Sequence, residues 1–141
     1  CLPVFLCDAA GTTVGVVHAG WRGLAGGIIE RSIAAMQADS GQLMAWLGPA
    51  IGPDYFEVGA DVYEAFVRHD EKMTQAFLQK ENNDEKKWLA NIFLLARQRL
   101  ASMGVTEIYG GGICTFSNPQ RFFSYRRDGE TGRMAALIWL E

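Results

Sequence analysis

Cys1 and His18 are the two side chains whose types and spacing best suit chemistry. A thiol and an imidazole can ligate one metal ion, and they serve equally as a nucleophile and its base. Two apolar, β-prone runs, Leu2–Cys7 and Thr13–His18, flank the loop-forming residues 8–11. This pattern predicts a β-hairpin. With a four-residue loop, the pairing places Cys1 directly opposite His18 on one face of the hairpin.

Two ligands do not complete a zinc site, because a catalytic zinc ion takes about three protein ligands and an open position. The other histidine, His69, lies between Arg68 and Asp70, and we expect it to be solvated. A third ligand would come from Cys7, Cys114, a carboxylate or a part of the protein outside this sequence. We expect Cys114 itself to be a buried structural thiol.

A glycine-bounded turn follows His18 and leads into a predicted helix. The free backbone N–H groups and the positive end of a helix attract phosphate, and Arg22 would add a bidentate contact. Gly20, Arg22 and Gly23 are therefore candidate phosphate-binding residues. Such turns also begin many helices that bind nothing, so both interpretations stay open.

An aromatic and arginine-rich run, FFSYRRD, occupies residues 122–128. As a strand, it would place Phe123 and Tyr125 on one side and Arg126 on the other. One interpretation is the edge of a pocket, where a ring stacks on an aromatic side chain and an arginine holds an anion. The alternative is a core strand whose arginines reach solvent or pair with Asp128.

Hydrophobic periodicity predicts the elements that must position these residues. The predicted helices cover Leu24–Gln37, Asp61–His69, Met73–Leu78 and Trp88–Met103. The predicted strands beyond the hairpin cover Leu43–Leu47, Val105–Tyr109, Phe122–Arg126 and Met134–Leu140. The polar run Glu81–Lys87 is expected to be a solvated loop. Because strands and helices alternate, we expect a layered α/β fold with a mixed sheet.

The bulk composition limits the function classes. With 141 residues the chain is one domain or most of one, and its net charge of −3 gives no electrostatic reason to expect nucleic acid or an anionic membrane as a partner. Three cysteines at irregular spacing argue against a disulfide scaffold. The first residue is not Met, so we expect either a piece of a longer protein or a processed N-terminus.

Four blocks in order carry a resemblance to a known family. CLPV, HAGWRG, LGPAIGPDYFEVG and FFSYRRDGETGRMAALIWL closely resemble the YfiH-like laccase-domain family. Its members were first called multicopper polyphenol oxidoreductases and are described as purine nucleoside phosphorylases. The resemblance implies an α/β/β/α sandwich with mixed sheets and a cytoplasmic location. It also implies that residues 1–141 form a single, N-terminally incomplete laccase-like domain.

The same resemblance implies a metal site. The family holds a metal with one cysteine, in an A-D-C-L-P-V segment, and two histidines, one of them in H-A-G-W-R-G. By position these are Cys1 and His18, which would also be the catalytic residues. The remaining histidine belongs to an upstream Q-V-H-G segment that this sequence does not contain. Zinc is the implied cofactor, with copper as the alternative.

The implied activity is phosphorolysis of adenosine, inosine, guanosine and methylthioadenosine, together with adenosine deamination. The partners would be a purine nucleoside and phosphate, with Arg22 on the phosphate and Phe123, Tyr125 and Arg126 as base and anion contacts. Three alternatives remain. They are a copper-dependent polyphenol oxidase, a metal-free Cys–His hydrolase that uses the Cys1 amine as its base, and a non-enzymatic assembly domain.

Overall fold

The computed structural model describes residues 1–80 and 86–141. The strands of this part are β1 (Leu2–Asp8), β2 (Val14–Ala19), β3 (Leu43–Leu47), β4 (Glu57–Val58), β5 (Phe77–Gln79), β6 (Trp88–Ala90) and β7 (Glu107–Gly110). Its α-helices are α1 (Trp21–Ala25), α2 (Ile28–Met36), α3 (Ala60–Val67), α4 (Ile92–Ser102) and α5 (Tyr125–Asp128). Short 3₁₀ helices cover Ser40–Gln42 and Glu71–Ala76.

The larger sheet has the order β2-β1-β3-β7 and is mixed, as predicted. Strand β1 runs antiparallel to β2 and β3, and β7 runs parallel to β3. Alternate side chains build a core on one face of this sheet: Leu2, Val4, Leu6, Val17, Ala19, Leu43, Ala45 and Leu47. Helices α1 and α2 pack on β2, and α4 packs on both helices. The opposite face carries exposed large side chains: Val16, Met44, Trp46 and Tyr109.

The smaller sheet has the order β4-β6-β5 and is antiparallel. It packs against α3 through Tyr63, whose ring stacks on Trp88 at 4.5 Å and meets Phe77 edge-on at 5.2 Å. The helix predicted over Met73–Leu78 is wrong, because a 3₁₀ turn there leads directly into β5.

Two predicted helices have different bounds in the structure. The one predicted over Leu24–Gln37 breaks into α1 and α2, because Gly27 adopts a left-handed conformation with φ of 81°. The helix predicted from Trp88 begins only after Asn91, whose side chain accepts a hydrogen bond from the Leu94 N–H at 3.0 Å and caps α4. The three residues before this cap belong to β6.

The two strands predicted near the C-terminus are also wrong. Ser124 instead caps the short helix α5, and residues 129–141 form neither helix nor strand. The chain turns at this point instead of continuing as a strand. The Arg127 guanidinium stabilises the turn, because it donates hydrogen bonds to the carbonyl groups of Thr115, Phe116 and Phe122. No described strand pairs with the apolar run that follows.

The remaining predictions agree with the structure where it can test them. The predicted elements at Asp61–His69, Leu43–Leu47 and Val105–Tyr109 correspond to α3, β3 and β7. Of the predicted loop Glu81–Lys87, residues 81–85 lie outside the described residues. Among the described residues, no helix has the length and apolar character needed to cross a membrane.

Candidate active site

The hairpin forms, with a register two residues away from the predicted one. His18 lies opposite Pro3, whereas we predicted that it would lie opposite Cys1. The loop is longer because the Asp8 carboxylate accepts from the Thr13 N–H at 2.9 Å and the Asp8 N–H donates to the Thr13 carbonyl at 3.1 Å. A shift of two residues preserves the face of every side chain, so Cys1 and His18 still share one face.

Gly20 shows how close the thiol and the imidazole are. It follows β2 in an extended conformation. A methyl group built on its Cα would lie 3.5 Å from the Cys1 Sγ and 3.8 Å from the His18 Nε2. The sulfur and the ring nitrogen therefore border the same small space above Gly20. Both side chains belong to solvent-exposed residues, so this space is open to small molecules.

A cavity of about 1040 Å³ lies over this pair, and we call it the sheet cavity. One wall is the exposed face of the larger sheet, where Trp46 tilts against Phe5 at 5.4 Å between ring centroids. The other wall is the C-terminal part of the chain. The predicted site residues that line the cavity are Cys1, His18, Gly20, Arg22, Phe123, Tyr125 and Arg126.

Gly23 is the predicted site residue that does not line the sheet cavity. A methyl group on it would contact the Ile28 side chain at 3.4 Å and the His18 carbonyl oxygen at 3.7 Å. It therefore lies in the packing between α1 and α2. Helix α1 has only five residues, so its dipole is weak and Arg22 is the stronger attraction for an anion there.

Three arginines line the sheet cavity, and no Asp or Glu does among the described residues. Arg22 lies over the Trp21 ring at 4.4 Å, and Arg126 donates to the Glu57 carbonyl oxygen at 2.8 Å. Arg133, which the sequence patterns did not single out, is the third. A protein of net charge −3 thus presents an electropositive cavity.

Arg126 belongs to both the smaller sheet and the sheet cavity, because it donates to the Glu57 carbonyl oxygen in β4 and lines the cavity with Cys1. The same guanidinium lies 5.6 Å above the Phe56 ring. Arg126 is therefore held against the smaller sheet, where it can attract an anion into the cavity that Cys1 and His18 also line.

Thiolate and imidazole are both good ligands for zinc and copper, so this pair fits two positions of such a site. Over residues 1–80 and 86–141, no group of three His, Cys, Asp or Glu residues is close enough together to hold a metal. Cys7 faces Val14 near the other end of the hairpin, and His69 is exposed beyond α3. The donor set of the described residues is therefore incomplete.

Cys114 lies in a different cavity of about 500 Å³, beside Arg97. It is half-buried, whereas we predicted a buried thiol. Its sulfur accepts hydrogen bonds from the Gly52 N–H at 3.1 Å and the Ser117 N–H at 3.4 Å. Burial favours a higher pKa for this thiol, but hydrogen bonds, first with the Ser117 side chain and then with backbone N–H groups, outweigh it and lower the pKa. The bonds tie the loop after β7 to the Gly-Pro loop after β3.

Comparison with known proteins decides the family. The family model described as multi-copper polyphenol oxidoreductase laccase matches residues 1–141. The chain belongs to this family. That agrees with the resemblance carried by the HAGWRG and GPAIGP blocks, and with the mixed α/β fold of the structure.

Two bacterial relatives of this laccase-family chain are named purine nucleoside phosphorylases. It is 54% identical over 140 residues to the purine nucleoside phosphorylase YfiH of Shigella flexneri, covering 99% of this chain and 56% of the relative. It is 50% identical over 141 residues to a purine nucleoside phosphorylase of Haemophilus influenzae, covering 100% of this chain and 57% of the relative. The chain thus spans little more than half the length of these relatives.

Solved structures show the same fold. The Neisseria meningitidis protein NMB0706 is 52% identical and superposes with a TM-score of 0.94, covering 100% of this chain and 57% of that one. The Bacillus licheniformis hypothetical protein YfiH is 29% identical with a TM-score of 0.79, covering 92% of this chain and 50% of that one.

Proposed function

We propose that this chain carries most of the active site of a purine nucleoside phosphorylase. The observation that carries the proposal is the sheet cavity, which combines an exposed thiol–imidazole pair, three arginines and exposed aromatic side chains. The names of the relatives support the same activity. In this reaction phosphate attacks the anomeric carbon of the ribose. The bond to the base breaks with its electron pair on the base nitrogen, which takes up a proton from solvent, and ribose 1-phosphate forms.

The arginines would bind and orient the phosphate. A guanidinium forms paired, charge-assisted hydrogen bonds with phosphate oxygens. Arg22 and Arg133 form no ion pair among the described residues, and Arg126 is bonded to a carbonyl group rather than to a carboxylate. Because no carboxylate of residues 1–80 or 86–141 lines the cavity, these charges are available to an anionic ligand.

The aromatic wall would bind the base. Phe123 is 52% exposed and Tyr125 is 71% exposed, and both line the cavity. Planar bases stack on such rings. This wall lies across the cavity from the sheet that carries His18, so a nucleoside between the two would present its ribose near the thiol–imidazole pair.

Cys1 and His18 would hold a metal ion, zinc or alternatively copper, with a further donor from outside the described residues. When bound, such an ion polarises a substrate oxygen or a water molecule. The exposed position of both side chains suits this role, because β2 carries His18 and Cys1 directly precedes β1, while the cavity gives the substrate access. Deamination of adenosine by water in the same cavity is part of the proposal.

The test is phosphate-dependent release of hypoxanthine from inosine by the full-length, metal-loaded protein. We expect release with phosphate and none without it, zinc as the retained metal, and ammonia release from adenosine. Copper as the retained metal, together with oxidation of phenolic dyes and no base release, would support the polyphenol oxidase that the family description names. Base release that persists after metal removal would favour a metal-free Cys–His site.

A further inference from the structure

We propose that Gly132 is a positioning residue for the purine base, because its lack of a side chain seats the Phe123 ring as a fixed wall of the sheet cavity. This rests on the proposed function. Gly132 and Phe123 both line the cavity, and neither belongs to a helix or a strand. The backbone hydrogen bonds of a helix or strand therefore do not hold either residue in place, and the position of the Phe123 ring depends on its side-chain packing.

The packing is unusually tight. A methyl group on the Gly132 Cα would lie 2.7, 2.8 and 2.9 Å from three adjacent carbons of the Phe123 ring. Nearly equal distances to three adjacent ring carbons place that point above the ring face, because a point beyond the ring edge would be much closer to one carbon than to its neighbours. One face of the ring thus lies on the Gly132 backbone, in space that a side chain would occupy.

About half of the Phe123 side chain remains open to a ligand. The side chain is 52% exposed, and no other aromatic ring stacks on it among the described residues. A ring supported on one face and partly exposed loses little freedom when a planar base stacks on it. The packing on Gly132 therefore favours nucleoside binding through the base, independently of the contacts to phosphate.

Gly132→Ala tests the seat cleanly, because Gly132 is outside the left-handed region and its backbone accepts alanine without strain. The methyl group must then displace the ring. In the full-length protein we expect the KM for inosine to rise roughly fivefold, in line with the loss of one aromatic stack. The KM for phosphate and the kcat should stay near the wild-type values. Gly112→Ala is the matched control, because a methyl group there meets nothing within 4 Å.

Repeating Gly132→Ala in a Phe123→Ala variant distinguishes displacement of the Phe123 ring from a wider disturbance of the cavity. Phe123→Ala alone should raise the KM for inosine by a similar factor, and adding Gly132→Ala to it should cause no further rise, because no ring is left to displace. An unchanged inosine KM in Gly132→Ala, or an equal rise in both backgrounds, would overturn the positioning role while inosine cleavage stands. A wild-type protein that does not cleave inosine would reject the proposed function and this inference together.

Discussion

The hairpin and the C-terminal part of the chain form opposite walls of one cavity, and they are built in different ways. Strand β1 lies between β2 and β3, and its inward residues Leu2, Val4 and Leu6 are at most 1% exposed. Residues 129–141 have no regular structure, and Leu137 and Trp139 are more than 70% exposed. The side chains proposed for chemistry are thus on or directly beside a sheet, whereas Phe123 and Tyr125, proposed for base binding, lie at or just before the start of a short helix that leads into this irregular segment. Changes in the two regions should therefore have different effects.

The largest effect should come from the hairpin wall. His18→Ala should abolish base release and metal retention together, because it removes one of the two described donors from the space above Gly20. Metal content and inosine phosphorolysis are measured on the same sample. His69→Ala is the matched control, since that exposed imidazole lies beyond α3 and should change neither quantity. Activity retained by His18→Ala would remove the hairpin from the proposed chemistry.

The next largest effect should be on the free energy of unfolding, which substitutions in the two regions should lower by different amounts. Leu6→Ala should lower the free energy of unfolding by about 3 kcal/mol, because it leaves a cavity under the central strand. Leu137→Ala, at a residue that is 72% exposed, should change it by less than about 0.5 kcal/mol. Urea denaturation of both variants measures the difference. Equal losses would show that the C-terminal part is packed as firmly as the sheet.

The arginines of both walls should affect phosphate more than nucleoside. Arg22→Gln and Arg133→Gln should each raise the KM for phosphate roughly tenfold, as expected for the loss of one charge-assisted contact. The KM for inosine should change little, and steady-state kinetics with each substrate varied in turn measures both. Arg68→Gln is a suitable control, because Arg68 pairs with Glu64 at 2.7 Å on the far end of α3. A rise confined to inosine would contradict the assignment.

The smallest effect should come from the hairpin loop and should depend on pH. Hydrogen bonds, first from the Thr12 side chain and then from the Thr13 N–H, lower the pKa of Asp8 below 3.8. A lowered folded-state pKa stabilises the protein above the ordinary carboxyl pKa, and this contribution is lost as the pH falls through the lowered value.

Asp8→Asn should therefore be less stable than wild type at pH 7, and the difference should shrink below pH 4 or so. Thermal unfolding at a series of pH values measures it. A difference that grows on acidification would contradict the expected sign.

Sequence patterns predicted the parts of this molecule that depend on local alternation. The period-two pattern located β1, β2 and β3, and it placed Cys1 and His18 on one face even though the register differed by two residues. The register itself depends on the Asp8 carboxylate, whose hydrogen bonds hold the loop open to Thr13. Hydrophobic alternation carries no information about such a bond.

The remaining errors arise from contacts between distant residues. The apolar run at 134–140 has the composition of a strand, but a strand also needs a partner, and no described strand pairs with it. Gly132 and Arg133 were missed for a related reason. They follow the turn that is stabilised by hydrogen bonds from the Arg127 guanidinium to the carbonyl groups of residues 115 and 116. No sequence pattern indicates these hydrogen bonds.

X-ray absorption at the metal edge of the full-length, metal-loaded protein tests most directly whether Cys1 and His18 bind one ion together. We expect a sulfur ligand and an imidazole ligand on the same ion in the wild-type protein. We also expect that metal retained by Cys1→Ser shows no sulfur signal, and that His18→Ala retains no metal to measure. A metal bound without sulfur in the wild-type protein, or a sulfur signal unchanged in Cys1→Ser, would contradict a shared site.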